Sequence, residues 1–174
     1  MKLFKTLETK RERMLRLILA VVIVATLAFI FGNSTLTAER SSVQSGAVTD
    51  VIVGAMPTDK QPAEGVEKND FHQSLRKVAH FAEYGVLGIE ISLFLIFFAE
   101  SLALSATALP VVAVFSAFID ESIQLLSDRS PAVSDMWIDI AGFAAFCAVT
   151  YAVYFAVKAR PVSRLIKFIA SRKK

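Results

Sequence analysis

The stretch Met14–Phe31, MLRLILAVVIVATLAFIF, decides the fold. Beyond Arg16 it carries no charge, and Thr26 is its one polar side chain. A run of this length approaches the roughly 20 residues that carry a helix across the hydrocarbon layer of a bilayer. A secretory signal peptide is the competing reading. Its apolar core is usually about 7 to 15 residues, and no Ala-x-Ala cleavage site follows this run at once, so a retained signal anchor is the expectation.

Working outward, three more apolar runs follow, and the expected spans are residues 14–32, 78–99, 102–126 and 135–157. The fold class is therefore all-α: a single polytopic membrane domain over residues 1–174, with four transmembrane helices. The composition agrees. Apolar residues make up 55% of the 174, and the mean hydropathy of +0.54 exceeds what a soluble core of this size needs. Glu100 and Ser101 form a tight link between the second and third spans, Pro110 is expected to kink the third, and residues 127–134 form a turn.

Residues 33–75 read as a polar loop with turn signals at Gly54, Pro57, Pro62 and Gly65. Inside it Val43, Ala47, Val48, Val51, Ile52 and Ala55 recur at helical spacing. This suits an amphipathic piece on the membrane surface or, equally, one packed on the helix bundle. Asn69 or Asp70 can cap the next helix, with Gln73 as the capping-box partner of Asp70. A short basic amphipathic tail with Leu165, Ile166, Phe168 and Ile169 closes the chain.

The net charge of +3 conceals its own distribution. Lys2, Lys5, Lys10, Arg11, Arg13 and Arg16 lie at one end, and Lys158, Arg160, Arg164, Lys167, Arg172, Lys173 and Lys174 at the other. This pattern points to topology and not to nucleic-acid binding: both termini are expected in the cytoplasm of a multi-pass cell-membrane protein. The long loop and the turn after the third span are then extracytoplasmic. The only cysteine, Cys147, lies in an apolar run, which excludes an intrachain disulfide and a thiolate metal cluster.

With that topology, polar residues of three spans meet at one membrane level. Lys77, His80, Glu83 and Tyr84 begin the second span, Asp120, Glu121 and Gln124 end the third, Arg129 sits in the turn, and Asp135 and Asp139 begin the fourth. His80 with Glu83 or Tyr84, Asp120 with Gln124, and Asp135 with Asp139 are pairs three or four residues apart, so each helix presents a polar stripe. A charge facing hydrocarbon costs about 2.5 to 3.5 kcal/mol on insertion scales, which turns such stripes inward. Glu90 continues the second stripe deeper, with Ser116 as its expected partner, or stands as a neutral structural acid.

Several uses fit this cluster. It can be an ion-pair network that closes a small bundle. It can also bind the zwitterionic or phosphate-bearing headgroup of a membrane lipid, an envelope glycolipid or a peptidoglycan precursor, with Lys77, Tyr84, Gln124, Arg129, Asp135 and Asp139 as ligand groups and Arg129 as the anion fork. A catalytic version uses His80 as general acid or base, with Glu83, Asp120 or Glu121 beside it, on an ester or phosphoester. A divalent metal is a further candidate, although one histidine with scattered acids lacks diagnostic spacing. Proton-coupled transport through Glu90 would require an oligomer.

The motif Arg76-Lys77-x-x-His80-Phe81-x-Glu83-Tyr84-x-x-Leu87-Gly88 resembles the second-helix signature of the VanZ-like family. Asp120-Glu121-x-x-Gln124, followed by Arg129, Asp135, Asp139 and Gly142, resembles that family's third-helix, turn and fourth-helix pattern, and Ser41-Ser42-Val43-Gln44-Ser45 matches more loosely. The resemblance spans nearly the whole chain in order. Ile123 stands where members often carry histidine, Ser127-Asp128 where they often carry Pro-Gly, and the turn is about one residue shorter, so His80 is the expected lone histidine of the cluster. What the resemblance implies is an envelope setting linked to resistance to the glycopeptide teicoplanin; it implies no defined reaction.

Overall fold

The computed structural model of the chain describes residues 4, 9–63, 65–127 and 133–171, and of residues 38 and 160–171 the backbone alone. Five α-helices follow in order: α1 (Lys10–Ser34), α2 (Ala38–Ala55), α3 (Val66–Phe98), α4 (Leu102–Leu126) and α5 (Val133–Ser171), with a short 3₁₀ turn at Thr58–Lys60 before α3. Four of them are long and apolar enough to cross a membrane: Lys10–Ser34, Val66–Phe98, Leu102–Leu126 and the Val133–Ala159 part of α5. Their outer faces are apolar, as at Leu17, Val24, Phe118 and Val153. This is what hydrocarbon as solvent requires.

Local chemistry sets the helix starts. Thr9 and Glu12 form a reciprocal capping box at the head of α1, and the Ser101 side chain accepts the Leu104 N–H at the head of α4. The link between α3 and α4 is accordingly as short as expected. α4 remains one helix with Pro110 inside it.

The expected cap of the second span is corrected. α3 begins at Val66, before Asn69 and Asp70, on a cap at Gly65 whose φ of 97° suits glycine. The Glu67 carboxylate accepts the Ala63 N–H at 2.9 Å and stabilises this earlier start. At 33 residues α3 is about 50 Å long, more than the roughly 30 Å of hydrocarbon, so its first turns project past the apolar layer. The loop expected over residues 33–75 therefore contains α2 and the head of α3. The tail is likewise no separate element, because α5 runs on to Ser171.

α3 packs most extensively on α5. Small residues permit the approach: a Cβ at Gly88 would lie 2.5 Å from the Phe143 carbonyl oxygen, and one at Gly142 would collide with the Phe81 carbonyl. The Cys147 thiol donates to the Gly88 carbonyl across the same seam, at 3.3 Å. Tyr84, Leu87, Ala113, Ala117, Phe143, Cys147 and Ile30 make the core where α1, α3, α4 and α5 meet. Such close packing of small residues is what holds helices together where lipid removes the hydrophobic drive.

Candidate functional site

Two polar side chains of α1, one inside its apolar run and one just past it, mark depth in the bundle. Thr26 Oγ1 donates to Glu90 Oε1 on α3 at 2.8 Å. Two turns on, the buried Ser34 hydroxyl donates to Asp120 Oδ1 on α4. The expected pairing of Glu90 with Ser116 is thus corrected. The Ser116 hydroxyl turns back to its own helix, on the Val112 carbonyl at 2.7 Å, while its carbonyl accepts the buried Tyr84 hydroxyl at 3.1 Å.

Around Ser34 the polar residues of three helices converge. Asp120 is fully buried; its second oxygen accepts the Gln124 amide at 2.8 Å, so both oxygens are held from α1 and α4. Asp139, also fully buried, comes from α5, and the His80 ring nitrogen Nδ1 from α3 lies 3.4 Å from its Oδ1. Donor atoms of His80, Asp120 and Asp139 all fall within 4.8 Å of one another. The backbone contact of Gly142 with Phe81 lies one residue beyond His80 and three beyond Asp139, so the tight seam fixes the pair from below.

The other expected site residues fall around this centre. Glu121 is buried next to Asp120. Glu83 is half-buried and lines a cavity with His80. Asp135 is half-buried and accepts the Ser134 hydroxyl at 3.1 Å. Tyr84 is fully buried in the core, and Lys77 is exposed. Arg129 lies outside the described residues.

The cavity, of about 200 Å³, opens between α1, α2 and α3. Phe29, Leu36, Val48 and Leu75 give it apolar walls, and Asn33, Ser34, Ser41, Gln44, Ser45, Arg76, His80 and Glu83 give it polar ones. Its outer wall is α2. Val43 and Val51 are 70% and 73% exposed, whereas Val48 lines the cavity and Ile52 is half-buried, so the apolar stripe of α2 packs on the bundle only in part. Polar contacts also dock the helix: His72 on α3 pairs through Nε2 with Ser45 (3.2 Å) and through Nδ1 with Thr49 (3.0 Å), and Lys68 pairs with Asp50 at 3.2 Å. His80 is therefore the histidine of the buried cluster but not the only structurally engaged one.

Sequence reasoning missed Ser34, Asn33, His72 and Thr26. The serine-rich motif at residues 41–45 was the one advance sign that this loop reaches the site.

Four helices long and apolar enough to cross a membrane, with buried Asp120 and Asp139 beside a partly exposed His80 and a polar cavity alongside, are those of a small multi-pass membrane protein with a candidate site among its helices. The VanZ/LLP1 family model matches residues 17–155, so the chain belongs to that family. Comparison with curated proteins and with solved structures gives no match.

Proposed function

We propose that the chain binds the headgroup of a membrane lipid or a lipid-linked envelope precursor in the cavity between α1, α2 and α3, on the outer side of the cell membrane. The observation that carries this reading is the character of the cavity wall. One cation, Arg76, and one acid, Glu83, stand among hydroxyl and amide side chains, with apolar walls from Phe29, Leu36 and Leu75. A phosphate-bearing headgroup joined to an acyl or prenyl chain offers the matching sequence of groups, and guanidinium suits its phosphate. The basic ends of the chain support cytoplasmic termini and hence an outward cavity.

The His80–Asp139 contact favours a second reading, in which the bound headgroup ester is cleaved or transferred with His80 as base and Asp139 orienting it. Native mass spectrometry of the detergent-purified chain with anionic, zwitterionic and prenyl-diphosphate lipids tests both readings. Retention of a phosphate-bearing lipid, weakened about 10-fold or more in Arg76→Ala, is the expected result. Equal retention by the variant refutes the headgroup reading, and a product mass lost in His80→Ala establishes the second. In cells, the link to teicoplanin is expected as a changed susceptibility on deletion that wild type restores and Arg76→Ala does not.

A further inference from the structure

We propose that His80, Asp120 and Asp139 form a binding site for one divalent transition-metal cation of the Zn²⁺ or Mn²⁺ kind. The site is independent of the headgroup reading. Three helices supply one nitrogen and two carboxylate donors within 4.8 Å of one another, and the 3.4 Å between His80 Nδ1 and Asp139 Oδ1 already suits two ligands of one cation. Ligands at about 2.0 to 2.2 Å lie no more than about 4.4 Å apart, so a small inward side-chain shift closes the set.

Asp139 is the second and independent observation. It is fully buried, and among the described residues neither of its carboxylate oxygens makes a hydrogen bond; its ion-pair partner there, His80 Nδ1, stands at 3.4 Å, beyond ordinary hydrogen-bond length. Buried polar atoms in native proteins nearly always have partners. Among the described residues, Asp120 and Asp139 face one imidazole, an excess of negative charge in a medium that penalises it. A divalent cation balances both carboxylates and occupies the lone pairs that hydrogen bonds leave open.

The surroundings fit the same use. Ser34 and Gln124 hold the two oxygens of Asp120, the kind of outer contact that orients a metal ligand. An imidazole among carboxylates selects Zn²⁺ or Mn²⁺ over Ca²⁺ or Mg²⁺, which take oxygen alone. Three protein donors leave coordination positions for water or a ligand oxygen. His80, a fifth exposed at its side chain, lines the cavity and gives the entry path.

The test uses the full chain in detergent, stripped with chelator and then titrated with Mn²⁺, without added lipid. About one Mn²⁺ per chain is expected to bind, with histidine-nitrogen coupling in its pulsed EPR spectrum. The coupling should persist in His72→Gln and vanish in His80→Gln, and affinity should fall at least about 100-fold in Asp139→Asn and about 10-fold in Gln124→Leu. Folded wild type that binds no Mn²⁺ or Zn²⁺, or an Asp139→Asn variant that binds as tightly, overturns the proposal in favour of a plain His80–Asp139 ion pair. Where a variant does not fold, the wild-type spectrum decides: bound Mn²⁺ without nitrogen coupling also overturns it. Loss of metal binding leaves lipid retention by Arg76 untouched, so the two readings fail separately.

Discussion

The two sides of α3 are built by different means. Toward α5 it meets a seam in which backbone lies on backbone: Gly88 under the Phe143 carbonyl, Gly142 under that of Phe81, and Tyr84, Leu87 and Phe143 fully buried. Toward α2 its contacts are polar, His72 to Ser45 and Thr49 and Lys68 to Asp50, and toward α1 apolar packing around Ile30 is joined by one polar bond, Thr26 to Glu90, with a cavity opening between α1, α2 and α3. The first side has no room for a methyl group, whereas the second keeps space and polar groups that a ligand can use. Under the proposed headgroup reading, the close-packed seam holds the spacing of His80 and Asp139 while the α2 wall is where the ligand enters.

The sharpest way to break this contrast is to crowd the seam. Gly142→Leu is expected to destabilise the bundle by about 3 kcal/mol or more, at or above the usual cost of overpacking, because its side chain would enter a neighbouring backbone and not a yielding side chain. Gly32→Leu is the matched control. Nothing lies within 4 Å of a Cβ there, so its effect should stay within about 0.5 kcal/mol. Thermal unfolding in detergent, followed by circular dichroism, measures both, and equal losses would erase the distinction between seam and flank.

On the flank the expected effects are small. Thr26→Val removes the hydroxyl from Glu90 at nearly constant volume, and interhelical hydrogen bonds in membranes average only about 0.6 kcal/mol. The same unfolding measurement should therefore show a loss near that size. A loss as large as that of Gly142→Leu would mean that the polar contacts, and not the glycine seam, hold the bundle.

The four spans were legible because hydropathy is a one-dimensional property, and His80, Asp120, Gln124 and Asp139 were legible because their spacing sets polar stripes on three helices. Partners were less so. Whether Glu90 meets Ser116 or Thr26 depends on how α1 is rotated against the bundle, which no local pattern encodes. A serine after an apolar run, such as Ser34, looks the same in sequence whether it only turns back to its own helix, as to the Ile30 carbonyl, or also reaches another helix, as to Asp120. His72 escaped notice because its partners, Ser45 and Thr49, lie on α2, and no local pattern encodes that α2 docks against the head of α3. The stripe of valines on α2 has the helical period whether it faces a membrane surface or a core, so no local pattern encodes that Val43 and Val51 are exposed while Val48 lines the cavity.

Accessibility of the cavity from outside the cell tests the central claim most directly. Ser41→Cys, placed in a Cys147→Ala background, puts one thiol on the cavity wall. Intact cells treated with a membrane-impermeant maleimide should label it, and a Lys174→Cys counterpart should stay unlabelled until the cells are opened. Labelling of Lys174→Cys in intact cells, with Ser41→Cys protected, would turn the site toward the cytoplasm and contradict the envelope reading.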